Sequence, residues 1–317
     1  MNMLLGLGLL LAAVLAALLG FTWRAARRVE AALPPQGRFV DLPGARLHVL
    51  DKGQGPAIVL IHGLSGQLCH FSYGVVDRLA PQHRVVAVDR PGAGYSVRQP
   101  GAAATLAAQA DVLAALIDAL GLERPLVVGH SLGGAVALTL AQRHPQKVAG
   151  LALLAPLTYE PMQMSPVFAG LVIHSPWLRR LVAWTLAVPA MMRQRDRILS
   201  VVFGPEAVPA DFGMRGGALL GVRPSHFVGA RADLVALAVG LPALAQGYAA
   251  MRLPVAVLFG RGDRILDPAE QGGALAKAVP GVRLELVDGG HMLPITQPQR
   301  SADFIAEMAR QVHLGRV

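Results

Sequence analysis

From Ala57 onward the chain alternates between two hydrophobic patterns. Short runs such as "AIVLI" (57–61), "RVVAV" (84–88), "LVVGH" (126–130) and "GLALL" (150–154) are apolar almost without interruption. Between them lie longer stretches, "LAAQADVLAALIDALGL" and "LGGAVALTLAQRHP", whose apolar residues recur at helical spacing. The first pattern predicts strands buried on both faces and the second predicts the helices that cover them. Gly121 and Pro145 supply the helix stops. The expected class is therefore α/β, with a mostly parallel central sheet covered by helices on both faces. Upstream, "RFVDL" and "RLHVLDKG" flank Gly44 and predict a hairpin. The alternation lapses between Leu157 and Arg252, where helix-like stretches are broken by Pro161, Pro176, Pro189, Pro205 and Pro224. It resumes at "LPVAVLFGRGD" and closes with "RLELVDGGH" and a last helix from Pro298 to Leu314. One sheet is thus divided by a helical insertion at 157–252.

The N-terminus follows another pattern. Met3 to Phe21 carries no charge over 19 residues, and as a helix it spans about 28 Å, close to the thickness of a bilayer core. Trp23 follows at interfacial position, then Arg24, Arg27 and Arg28. A signal peptide, the alternative, normally has its basic residues before the apolar run, whereas here they come after it. Residues 1–23 are expected to form an uncleaved transmembrane helix and 24–37, with "LPPQG", a linker. The core is expected at 38–156 and 253–317. By the positive-inside bias, the expected topology is single-pass with the chain after the helix cytoplasmic.

Composition narrows the classes. An apolar share of 53% with only 15% charged residues excludes intrinsic disorder. The net charge of +9 is compatible with anionic lipid. No zinc-finger spacing or aromatic-basic motif accompanies it, so no nucleic-acid partner is expected. The single cysteine, Cys69, excludes an intramolecular disulfide. No pattern calls for a metal or an organic cofactor.

The candidate chemistry lies at the strand ends. In open parallel sheets ligands sit outside the carboxyl ends of the strands, and four strands here end in "HGL" (62–64), Ser131, Asp263 and His291. Ser131 stands in "GHSLG", a G-x-S-x-G turn between a strand and a helix, which raises its hydroxyl on a tight corner. A serine needs a base to take its proton, and His291 suits that role. Asp263 would accept the other imidazole N–H; Asp267 follows the same strand and competes with it. The oxyanion donors are expected from the amides of Leu64 and Leu132. His62 and His130 are read as structural, Asp89 as a carboxylate holding its loop, and His83, His144, His174 and His226 as surface or core residues.

From about Arg38 to the C-terminus the chain resembles the α/β-hydrolases. The likeness rests on His62-Gly63, "DRPGAGYS" (89–96), "GHSLG", Asp263 in "GRGDRILDP" and His291 in "GGHMLP". It implies the Ser-Asp-His order, and the insertion falls where the family's lid domains sit. "HGLSG" departs from the "HGGG" of many lipases. Epoxide hydrolases and haloalkane dehalogenases of this fold carry a carboxylate where this chain has Ser131, so acyl transfer is expected. In the lid, Trp177, Leu181, Trp184 and Val188 are expected on one helical face, with Arg179 and Arg180 turned away and Arg193, Arg195 and Arg197 beyond. That face suits either lipid or packing on the domain. Met162, Met164, Met191 and Met192 are candidates for lining an acyl pocket. The arrangement is similar to membrane-bound monoacylglycerol lipases. The expected function is hydrolysis of a small-molecule ester or lipid with an apolar acyl group. The alternatives are a C–C bond hydrolase of aromatic degradation and a non-catalytic ligand-binding protein.

Overall fold

A computed structural model describes residues 2–162 and 173–314. The nine strands are β1 (Arg38–Leu42), β2 (Ala45–Lys52), β3 (Ala57–Ile61), β4 (Arg84–Val88), β5 (Val97–Arg98), β6 (Leu126–His130), β7 (Gly150–Leu154), β8 (Val255–Gly260) and β9 (Arg283–Val287). They form one sheet in the order β1-β2-β4-β3-β6-β7-β8-β9, with β5 paired to β2. The β1–β2, β2–β4 and β2–β5 pairs are antiparallel, and every pair from β4 through β9 is parallel.

The strand sequences explain this arrangement. β6, β7 and β8 are buried at every position, as a sheet covered on both faces requires. Side chains alternate between two cores with the two-residue period of a strand. Val59, Ile61, Val127, Leu151 and Val257 face one core. Ile58, Leu60, Val128, Leu154 and Leu258 face the other. The helices are α1 (Asn2–Ala32), α2 (Leu106–Ala119), α3 (Leu132–Arg143), α4 (Pro176–Trp184), α5 (Ala187–Phe203), α6 (Pro224–Gln246) and α7 (Pro298–Leu314), besides shorter turns. α2 and α3 fill the first core and α7 the second.

Chain order reverses between β3 and β6. β3 connects forward to β4 on one side, while β6 pairs with it on the other. This switch leaves a crevice at the carboxyl ends of both strands. Register Ile61↔Gly129 sets the segments after β3 and β6 side by side there. α4, α5 and α6 lie between β7 and β8 and form a cap.

Four details differ from the sequence reading. α1 does not end near Trp23 but runs unbroken to Ala32, through most of the expected linker. Its first part is long and apolar enough to cross a membrane; α6 meets the same test of length and composition, but a third of its apolar window is buried. The cap face is also shorter than expected. α4 stops at Thr185, whose φ of −120° and ψ of −74° are not helical, and Val188 lies buried in the first turn of the next helix. Trp177, Leu181 and Trp184 are exposed and Val188 is not, because the break rotates it away. Arg179 is likewise not turned to solvent. It is buried and donates to the carbonyls of Ile173 and His174, since "LRR" begins one turn after chain it can fold back upon. Met162 and Met192 are exposed rather than pocket-lining, and Met164 lies outside the described residues.

Candidate active site

Ser131 sits between β6 and α3 with φ +53° and ψ −123°, a conformation that costs a non-glycine residue of order 1–3 kcal/mol. The flanking glycines make the corner possible. A Cβ on Gly129 would lie 2.4 Å from the Gly133 carbonyl oxygen, and one on Gly133 would lie 2.2 Å from that of Ile61. Any larger residue would push β6, α3 and β3 apart. The amide of Leu132 opens α3, where first-turn N–H groups lack intrahelical acceptors and the helix end is partially positive.

His291 and Asp263 meet across the ends of β9 and β8. His291 Nδ1 and Asp263 Oδ2 are 2.7 Å apart, and the Asp263 carboxylate is fully shielded from solvent. Its other oxygen accepts the Ile265 and Leu266 amides at 2.8 and 3.0 Å. Asp267 does something else: it accepts the amides of Ala269 and Glu270 and caps that turn. His130, next to Ser131 in the chain, lies 2.9 Å through Nε2 from the His291 carbonyl, and the two rings are 5.0 Å apart. Burial, then the neighbouring His291, hold the His130 imidazole well below the usual histidine range. His130 is therefore neutral and uses its proton to tie the Ser131 corner to the His291 loop.

The "HGL" segment is held by a group that the sequence reading did not single out. Arg90, wholly buried, donates through Nε to the His62 carbonyl at 2.9 Å and through Nη2 to the Gly63 carbonyl at 3.0 Å. The Arg90 amide donates to His62 Nε2 at 2.9 Å, so the imidazole proton resides on Nδ1, which donates to the Gly63 carbonyl at 2.8 Å. Burial, and then the Arg90 charge, keep His62 neutral. Two donors thus fix the carbonyl of the Gly63–Leu64 peptide. Because a trans peptide is planar, its N–H points the opposite way, so the direction of the Leu64 amide is set from behind.

Arg90 is itself neutralised from the cap. Its Nη1 lies 2.7 Å from both Gln109 Oε1 and Asp233 Oδ2, and Asp233 on α6 also accepts from Arg98 at 2.6 Å. A lone aspartate in the apolar sequence of α6 was the available signal: a charge there must meet a partner. Asp89 holds its loop, accepting from the amides of Leu68 and Tyr95 and lying 2.8 Å from His48 Nδ1. His226, on the first turn of α6, lies 3.1 Å through Nε2 from the Ser65 carbonyl. His70 is buried without a partner at Nδ1, and burial pushes its pKa down to about 4. No cluster of three or more metal-ligating side chains occurs among the described residues.

Residues 56–298 match the sequence profile of the alpha/beta hydrolase fold. The chain belongs to that family. Among curated relatives, the α/β-hydrolase is 33% identical over 289 residues to the dihydrolipoyllysine-residue acetyltransferase component of an acetoin cleaving system from Cupriavidus necator, covering 88% of this chain and 69% of that one. Among solved structures it resembles a thermophilic esterase from Thermogutta terrifontis, with TM-score 0.69 and 27% identity over 87% of this chain and 100% of the other. A membrane phospholipase A shares the fold with TM-score 0.70 and 24% identity over 98% and 99% of the two chains. The fold of this α/β-hydrolase is of the esterase and lipase type.

Proposed function

We propose that the chain is a membrane-anchored serine hydrolase that cleaves carboxylic esters of apolar acyl groups, such as a monoacylglycerol. The observation that carries this reading is the strained Ser131 at a helix start, on the sheet edge that also bears the hydrogen-bonded His291–Asp263 pair. In the first step Ser131 Oγ attacks the ester carbonyl carbon while His291 Nε2 takes its proton. Asp263 accepts the Nδ1–H bond, fixes the tautomer and stabilises the imidazolium. The tetrahedral oxyanion is received by the Leu64 and Leu132 amides, each such donor being worth roughly 3 kcal/mol. Collapse expels the alcohol, protonated by His291, and leaves an acyl-Ser131. Water, deprotonated by His291, then releases the acid and restores the serine.

The apolar character of the substrate is supported by the cap. Trp177, Leu178, Leu181, Trp184 and Leu186 are exposed on and just after α4, which packs against α1. Arg180 on α4 and Arg193, Arg195 and Arg197 on the adjoining α5 are exposed as well, a combination suited to a lipid interface. The likeness to a membrane phospholipase A is consistent with it. In this reading α1 crosses the bilayer, and Arg24, Arg27 and Arg28 keep the catalytic domain on the cytoplasmic side.

The test compares a long-chain monoacylglycerol with a short-chain nitrophenyl ester, with Ser131→Ala as the blank. Faster turnover of the lipid supports the whole reading, and turnover of the short ester alone would remove the lipid substrate. Activity surviving in folded Ser131→Ala or His291→Ala would overturn the triad. A Ser131 that does not react with a fluorophosphonate would favour a ligand-binding role instead.

A further inference from the structure

The end of α1 is built as a docking face. Thr22, Ala25, Ala26, Val29 and Glu30 are the residues of its last turns withdrawn from solvent, whereas Trp23, Arg24, Arg27 and Arg28 between them are exposed. That spacing is the stripe of a helix packed along one side. Its partners are α4 and the turn Ala218–Val222 of the cap. Helix and cap are joined by an ion pair, Arg223 Nε to Glu30 Oε1 at 2.9 Å, whose side chains are only 15% and 31% exposed.

Arg223 is a junction rather than a surface tie. It also donates through Nη1 to the Gly94 carbonyl, and its guanidinium lies 4.5 Å over the ring of Tyr95. The Tyr95 hydroxyl donates back to the Leu33 carbonyl, at the end of the anchor helix. Arg223 is the N-cap position of α6, and one turn on, His226 meets the Ser65 carbonyl at 3.1 Å and the Gly94 amide at 3.4 Å. Ser65 holds a left-handed backbone, φ +52°, directly after Leu64. A continuous path of contacts therefore runs from Glu30 through Arg223 and His226 to the loop that carries the Leu64 amide.

We propose that docking of the N-terminal helix on the cap through Glu30 and Arg223 positions the Ser65 loop for catalysis, so the anchor is a working part of the catalytic unit. Glu30, Arg223 and His226 are positioning residues. The proposal rests on the Leu64 amide being an oxyanion donor. Undocking lets the first turn of α6 shift and releases Ser65, and a misplacement of 1 Å at a catalytic group costs up to about 10²-fold in rate.

The experiment uses the full chain in detergent micelles with a water-soluble short-chain ester, so that delivery of substrate from a membrane plays no part. Turnover is expressed per active site titrated with a fluorophosphonate. Glu30→Arg is expected to lower kcat about tenfold with KM little changed, and Glu30→Gln to fall between it and the wild type. Glu30→Asp, which keeps a carboxylate for Arg223 and leaves its contacts to Gly94 and Tyr95 in place, should retain most of the turnover. Unchanged kcat per titrated site in Glu30→Arg would overturn the proposal, and so would a loss confined to the number of titratable sites, which is the mark of a merely structural role. Glu30→Asp as slow as Glu30→Arg would also overturn it. An inactive wild type would instead overturn the hydrolase reading on which the proposal stands.

Discussion

Replacing Asp233 by leucine tests how the cap and the core share one buried charge cluster. Asp233 is 3% exposed and serves two guanidiniums, Arg90 and Arg98, at 2.7 and 2.6 Å. Leucine matches its place in an apolar helix but leaves Arg90 with only neutral acceptors, the carbonyls of His62 and Gly63 and the Gln109 amide oxygen. Removing one partner of a buried ion pair costs roughly 3–5 kcal/mol, because the remaining charge stays desolvated. For a chain of this size that lowers the melting temperature by roughly 5–8 °C. Arg90 also holds the Gly63 carbonyl, so its displacement tilts the Gly63–Leu64 peptide. Loss of one oxyanion donor costs about 10²–10³-fold in kcat, which bounds the effect from above. The assay combines thermal unfolding with ester turnover per titrated active site. Asp233→Asn, which retains an acceptor oxygen, should be milder in both. Arg90→Met/Asp233→Leu should regain part of the melting temperature, since paired replacement by apolar groups removes the stranded charge. It should not regain kcat, since the Gly63 carbonyl has lost its donor. A melting temperature for Asp233→Leu within about 2 °C of the wild type would refute the reasoning about buried charge. A double variant with restored kcat would refute the role given to Arg90.

Other perturbations probe the remaining geometry. Asp263→Asn should leave the fold intact and reduce kcat by roughly 10³–10⁴-fold, because the amide favours the wrong His291 tautomer; Asp267→Asn should leave turnover within a few-fold. Gly129→Ala places a methyl 2.4 Å from the Gly133 carbonyl, so fluorophosphonate labelling of Ser131 should be lost before the melting temperature falls to that of Asp233→Leu. Stability should decrease as the pH is lowered from about 6.5 towards 4. His70, held down to about 4 by burial, stays neutral in the native state while its unfolded counterpart takes up a proton near 6.5. The lost stability from this group alone is at most about 3 kcal/mol. His70→Leu should flatten the melting curve against pH over that window, and an unchanged slope would remove His70 as its cause.

Much of this architecture was legible in the linear chain because its signals are local. A fully apolar five-residue run such as "AIVLI" has few fates other than a covered parallel strand. The order of apolar runs and helical stretches then sets the parallel sheet, and with it the edge where strand ends collect. The Ser131 corner is local too. Only glycine fits at 129 and 133, because backbone passes within 2.4 Å of where their side chains would begin.

What the chain order hid is long-range and polar. Arg90 and Asp233 are separated by 143 residues, and nothing in "VDRPG" distinguishes a buried arginine from a surface one. Its burial depends on acceptors converging from β3, α2 and α6. Val188 left the face of Trp177 and Trp184 because a single break at Thr185 changed the helical phase. The "linker" at 24–32 is helix because its Ala, Arg and Glu residues are strong helix formers that continue α1, whereas the cap on which Glu30 rests is announced by no local pattern. The sequence by itself determined the layers, the order of the strands' chemistry and the nucleophile's corner, since these follow from hydrophobic period and backbone sterics within a few residues. The tertiary structure alone decided which charges are buried, which carbonyls they hold and where the first helix rests. A buried charge is stable only where partners from distant segments meet it.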